Sequence, residues 1–178
     1  MSAAAVVTFG AAAAAGAGEA ERTGESGHQS VAVTVPHYPI AHSVRTLLRG
    51  DWLRWPLRGA VTGRFGEQRA GHRHEGIDIP KPVGTPIRAA GTGRVVMREW
   101  RDGYGNYTCI RHVKVLTCYA HQSRFRTKPG ALVRQGEVIG YTGDTGTSEA
   151  PHLHFEVRLG RRPWGKPVNP IRFLPRKP

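Results

Sequence analysis

The residues of this 178-residue chain best suited to chemistry are His152 and His154, read together with His74 and Asp78. Side chains of a β-strand alternate between faces, so histidines at i and i+2 point the same way. Leu153, Phe155, Val157 and Leu159 fall on the other face, the pattern of a half-buried strand. One metal ion could therefore lie near both histidines. His74-Glu75-Gly76-Ile77-Asp78 brings a further imidazole and a carboxylate from a separate segment. Imidazole nitrogens with one carboxylate oxygen suit a catalytic zinc that keeps a position open for water. No histidine lies four residues past His74, which excludes the helical H-E-x-x-H arrangement.

Such residues must be carried by strands, and the composition favours them. With 23 Gly and 13 Pro, turn-rich β structure is a better expectation than a helical bundle. From Trp52 onward, β-branched or aromatic runs alternate with Gly-containing breaks. The runs are 60–62, 76–79, 86–88, 93–97, 107–111, 115–120, 137–141 and 154–159. This spacing predicts one mainly β domain over 52–175, an antiparallel sheet or sandwich. Pro167-Val168-Asn169-Pro170 is expected to end the regular structure, and 176–178 forms a solvated basic tail. Residues 1–20 read as an apolar Ala/Gly leader and a partial match to a secretory signal, since no Lys or Arg precedes Arg22. That run is too short to span a bilayer, so no transmembrane helix is expected. Residues 21–51 read as a largely flexible linker, with at most a strand over 30–35 and a weak helix over 42–48.

The formal net charge of +13 implies an anionic partner or surface. The basic residues run from Arg22 to Lys177 without a helix stripe, arm or zinc-finger pattern, which argues against nucleic acid. An anionic cell-wall polymer or lipid surface accounts for the charge equally well, and so does solubility alone. Cys109 and Cys118 are too few for a disulfide scaffold and lack C-x-x-C spacing. In a hairpin of 106–112 with 115–121 around Val113-Lys114, Cys109 falls opposite Cys118. Facing Cβ atoms lie about 4.5–5.5 Å apart, against about 3.5–4.5 Å in a disulfide. A cross-strand disulfide and two small buried residues on one face both fit that spacing.

The segment from Trp55 to Leu174 resembles the catalytic domain of the lysostaphin/LytM-type zinc metallopeptidases, which cut peptides in bacterial peptidoglycan. The resemblance rests on ordered blocks: an entry strand Trp55-Pro56-Leu57-Arg58-Gly59, then Arg64-Phe65-Gly66, His74 to Ile79, Gly84 to Ala90 and Gly91 to Val95. Tyr104-Gly105-Asn106-Tyr107, Tyr119-Ala120-His121, Gly136 to Gly140, Gly143 to Gly146 and Pro151 to Arg158 follow. The resemblance implies a β fold whose antiparallel sheet forms a groove bearing the metal, with one Zn2+ per chain on His74, Asp78 and His154. It implies catalytic roles for His121 and His152, one as general base and the other as donor to the oxyanion; the sequence does not decide which is which. Glu156 is a candidate partner for a ligand imidazole. Gln122 stands where Leu is usual, a change expected to be tolerated. His72 and His112 are expected to be solvent-exposed.

The implied function is zinc-dependent hydrolysis of stem or cross-bridge peptides of peptidoglycan, outside the cytoplasm (secreted, periplasmic or cell-wall associated). The rival reading is a catalytically silent wall-binding domain or an activator of another hydrolase, and retention of all five site residues argues for the enzyme. A carrier-like β fold lacks a suitably placed Lys tip. His28, His37 or His42 of the linker could cap the metal in a latent form. The loops 98–104 and 122–130 are expected to choose the bond that is cut.

Overall fold

The structure, a computed structural model, describes residues 52–160 and 162–176. The leader, the linker with its expected strand, helix and capping histidines, and residues 177–178 lie outside the described residues. Within them the chain is built from β1 (Gln68–Arg69), β2 (His72–Arg73), β3 (Ile77–Pro80), β4 (Pro86–Arg88), β5 (Gly93–Arg101) and β6 (Gly105–Arg111). β7 (Val115–Ala120), β8 (Gln122–Phe125), β9 (Leu132–Val133), β10 (Val138–Thr142), β11 (His152–Leu159), β12 (Pro167–Val168) and a 3-10 turn (Pro170–Phe173) complete it. Among the described residues no helix is long and apolar enough to cross a membrane.

The main antiparallel sheet runs β12-β11-β7-β6-β5-β9, with β3 also paired to β11. A three-stranded sheet β4-β10-β8 and the β1–β2 pair accompany it. One face of the main sheet presents Leu153, Phe155, Val157, Tyr119 and Ile110, which join Ile77, Ile79, Ile87, Ile139 and Leu53 in a buried apolar core. The other face carries Tyr107, Cys109, Leu116, Cys118 and Ala120 in a smaller cluster, along with His154, Glu156 and Arg158 of β11. β11 is thus buried on both faces rather than half-buried, because its polar residues find partners inside the protein.

Several expected elements change. Residues 60–62 form no strand; Gly63 makes a single bridge with Asp78. The expected entry strand at Trp55 is irregular: Pro56 lacks an N–H for a ladder, and its carbonyl accepts from Arg88. β11 begins at His152 rather than His154. Regular structure continues past Pro167, because β12 pairs with Val157 and Arg158 and Asn169 caps the 3-10 turn. Much of the two presumed selecting loops is strand, in β5 and β8.

The β6–β7 hairpin has the expected register, Cys109 opposite Cys118, and the two are joined by a disulfide. The His112 N–H donates to the Val115 carbonyl, so pairs an odd number of steps along the ladder are non-hydrogen-bonded, the class in which strands approach most closely. The Cα separation at the cysteines is 4.2 Å.

His112 is buried, not exposed. Its Nδ1–H donates to the Thr92 carbonyl at 2.9 Å, which leaves Nε2 to accept from Thr117 Oγ1 at 2.8 Å. Thr117 then accepts from the Tyr119 hydroxyl, which itself accepts from the Ala90 N–H. A second proton on His112 would reverse the chain and strand the tyrosine O–H, and Trp52 packs against the ring edge. Burial, opposed in part by the Thr92 carbonyl, lowers the His112 pKa to about 4. The unfolded chain binds this proton first, so stability is full above the ordinary pKa and falls as pH drops from 6.5 toward 4. The loss is about 3 kcal/mol. Denaturant unfolding at pH 7 and pH 4 should show a loss about 3 kcal/mol larger in the wild type than in His112→Gln, whose amide can make both contacts.

Candidate metal centre

Register brings the site together. Asp78 of β3 stands directly opposite His154 of β11, and His154 is opposite Ala120 of β7. Facing residues share a face, so the Asp78 carboxylate and the His154 imidazole meet on the polar side of the sheet. His74 arrives four residues before Asp78, and His121 follows Ala120. His74 Nε2, Asp78 Oδ1 and His154 Nδ1 lie 2.9–3.1 Å from one another, and these three residues form a possible metal-binding group. His152 Nε2 is 3.6 Å from Asp78 Oδ1. The His121 ring centroid is 4.5 Å from that of His152 and 5.9 Å from that of His154. All five expected site residues are therefore gathered in one place. His72 is exposed, as expected, and is held by the Ala70 carbonyl outside the group.

Each imidazole turns one nitrogen toward an acceptor. His74 Nδ1–H donates to the Arg64 carbonyl at 2.9 Å, His121 Nδ1–H to the Thr145 carbonyl at 2.7 Å, and His152 Nδ1–H to the Ala150 carbonyl at 2.8 Å. A carbonyl cannot donate, so in the neutral rings Nε2 carries the lone pair. His154 is reversed: Nε2 faces Glu156 Oε1 at 3.2 Å and Nδ1 faces Asp78. Two imidazole lone pairs and a carboxylate oxygen thus converge, an arrangement that calls for a cation among them. Burial opposes a charge on His154, but hydrogen bonds to Asp78 and Glu156 raise its pKa to about 9. Burial likewise opposes charge on Asp78, yet His154 and His74 hold its carboxyl well below the usual range. The centre is therefore built around positive charge, whether a proton or a metal supplies it. Ligand atoms around tetrahedral zinc are about 3.3–3.5 Å apart for bonds of 2.0–2.2 Å, so the triangle needs only a slight opening and the donor set fits.

Burial lowers the His121 pKa to about 4, against the opposing Thr145 carbonyl and with the neighbouring histidines adding to the shift. His121 is also the one described non-glycine residue with positive φ, at 57°. It is the single residue between β7 and β8, and its N–H donates to the Tyr104 carbonyl. Strain of this kind concentrates at functional sites.

The family model for peptidase family M23 matches residues 72–170, more than half of the chain. The chain belongs to peptidase family M23. The DD-carboxypeptidase/endopeptidase Mpg of Neisseria meningitidis is 48% identical over 99 residues, 55% of this chain and 22% of that protein. The murein hydrolase activator NlpD of Escherichia coli is 40% identical over 126 residues, 70% of this chain and 31% of that protein. The chain thus spans under a third of the length of either relative. The catalytic domain of lysostaphin from Staphylococcus simulans superposes with a TM-score of 0.58 at 31% identity, covering 65% of this chain and 89% of that one. A zinc-containing peptidase from Vibrio cholerae gives a TM-score of 0.62 at 30% identity, covering 72% and 41%.

The M23 motif residues have physical reasons. A Cβ on Gly76 would lie 2.8 Å from His154 Cε1 and would strike the Phe155 carbonyl. Gln122 is fully buried: its Nε2 donates to Thr108 Oγ1 and to the Tyr119 carbonyl, both at 2.9 Å. Its Oε1 is the one buried side-chain atom without a partner among the described residues. Its backbone carbonyl accepts from Asn106 Nδ2 and Thr145 Oγ1, bracing the His121 turn. Glu156 meets His154 as the sequence suggested. Sequence reasoning missed Arg158, although its strand parity with His154 and Glu156 could have shown it. It also missed Tyr107, Tyr104 and Arg69, whose Nη2 reaches Asp78 Oδ2 at 3.0 Å. Gly76→Ala should lower stability by about 1–3 kcal/mol through overpacking and weaken metal binding, both measurable by denaturant unfolding and zinc titration.

Proposed function

We propose that the chain is a zinc metalloendopeptidase that hydrolyses peptide bonds in bacterial peptidoglycan, acting outside the cytoplasm. The observation that carries this reading is the convergence of the His74, Asp78 and His154 donor atoms beside two further imidazoles, His121 and His152. In this reading His74, Asp78 and His154 hold one Zn2+, which when bound polarises a peptide carbonyl and acidifies water. Arg64 and Glu156 keep the ligand lone pairs turned inward.

His121 and His152 handle protons. Each donates its Nδ1–H to a backbone carbonyl, so neutral Nε2 is free to take a proton from the attacking water. Once protonated, that nitrogen can pass the proton to the leaving amine or donate a hydrogen bond to the tetrahedral oxyanion. Burial keeps His121 neutral at ordinary pH, as a base requires. The peptidase activities in the name of Mpg and the murein hydrolase in the name of NlpD support peptidoglycan peptides as the substrate. The net charge of +13 supports association with anionic wall polymers.

NlpD is named an activator, which keeps a second reading open: a silent domain that switches on another hydrolase. The complete set of five residues favours the enzyme. The test is zinc content and digestion of purified peptidoglycan by the full chain, with His154→Ala and His152→Ala beside it. About one zinc per chain is expected, lost in His154→Ala and kept in an inactive His152→Ala. Zinc without hydrolysis of chemically diverse peptidoglycans would favour the activator, and a wild type that binds no zinc would sink both the ligand and the enzyme assignments.

A further inference from the structure

Glu75 adjoins one proposed ligand and Glu156 lies two residues past another, and a single side chain joins them. Arg158 projects from β11 on the face of His154 and Glu156, since strand side chains repeat with period two. Its Nε donates to Glu156 Oε2 at 2.6 Å and its Nη2 to Glu156 Oε1 at 3.0 Å, a two-point grip. The same Nη2 donates to Glu75 Oε2, and Nη1 donates to the Gly165 carbonyl at 3.1 Å. Tyr107 closes the cluster with a 2.6 Å bond to Glu156 Oε2, and Tyr104 with a 2.9 Å bond to Glu75 Oε2. The Arg158 side chain is 9% exposed and that of Glu156 0%.

We propose that Arg158 is a positioning residue for the metal centre, holding from behind the two segments that carry His74 and His154. The inference rests on the metal-centre reading above. A fully buried carboxylate does not keep its place without a cation partner. The guanidinium is therefore what keeps Glu156 Oε1 behind His154 Nε2, and with it the ring orientation that turns Nδ1 toward Asp78. Through Glu75 the same group tethers the loop in which His74 sits. Only a planar fork with several donors can serve both carboxylates, so arginine and lysine are not equivalent here.

The experiment measures zinc affinity of the full chain by chelator competition, the visible spectrum of the Co2+-substituted protein, and near-UV circular dichroism of the metal-free protein. Arg158→Met should keep the metal-free fold, weaken zinc binding 10- to 100-fold and alter the Co2+ absorption, in line with the loss of groups that orient metal ligands. Arg158→Lys should recover only part of the affinity. Folded Arg158→Met with wild-type zinc affinity and an unchanged Co2+ spectrum overturns the proposal, because a merely structural ion cluster would leave the coordination untouched. If Arg158→Met does not fold, Glu75→Gln decides: it keeps the Arg158–Glu156 pair, should bind zinc up to about 10-fold more weakly, and overturns the proposal if it matches wild type. A wild type that binds no zinc removes the metal-centre reading and this inference together, whereas a zinc-binding wild type with an equally tight variant removes this inference alone.

Discussion

Three electron-rich atoms, His74 Nε2, Asp78 Oδ1 and His154 Nδ1, meet within 2.9–3.1 Å of one another. Lone pairs and negative charge so placed repel unless positive charge lies between them, so the rest of the protein must impose their approach. It does so by register and by exclusion. The β3–β11 ladder sets Asp78 opposite His154. Glycine at position 76 leaves the space that the His154 ring occupies, and the fully buried Leu153 and Phe155 lock β11 to the core from the other side. A strand free to slip by one residue would turn His154 into that core.

The second constraint concerns protons. His74, His121 and His152 give their Nδ1–H to the carbonyls of Arg64, Thr145 and Ala150, and His154 gives its Nε2–H to Glu156. Irregular backbone is suited to this task, because carbonyls inside a sheet ladder are already engaged by neighbouring strands. The Thr145 segment shows how the loops are held in turn. Thr145 Oγ1 accepts from the Asn106 N–H and donates to the Gln122 carbonyl, while the Thr147 N–H donates to the Gly103 carbonyl. The β5–β6 turn and the loop after β10 are therefore pinned together around His121, and that pinning sustains its positive φ.

What the sequence made legible follows from period two. The shared face of His152 and His154, the facing of Cys109 and Cys118, and the limits of β4 and β7 all come from alternation and turn chemistry, which act over a few residues. What it hid depends on partners far along the chain. His112 looks like a turn histidine, but its burial is set by Thr92, Thr117 and Trp52. The carbonyls that fix each imidazole belong to residues whose type is irrelevant, so no motif could reveal them. The strand expected at 60–62 failed because β propensity there finds only the single bridge of Gly63 to Asp78. Gln122 shows a related blind spot: the sequence does not reveal that its side chain fills a buried niche, bonded through Nε2 to Thr108 and Tyr119 and with Oε1 left without a hydrogen-bond partner among the described residues.

β11 divides its two faces between an apolar core and a cluster of buried charged and polar groups. Leu153, Phe155 and Val157 are completely buried against the apolar core, and burial of such side chains is the dominant favourable term in folding. Glu156 is equally enclosed on the other face and His154 and Arg158 are buried beside it, where desolvation offsets most of what the ion pairs return. Burial together with the His154 and Arg158 hydrogen bonds decides the state of Glu156, and the bonds prevail, lowering its pKa to about 2. A charged cluster of this kind adds little to the fold relative to an apolar replacement, so stability alone does not account for its presence. Its geometric effect is specific: it fixes where one imidazole points, on a strand whose position the opposite face has already settled.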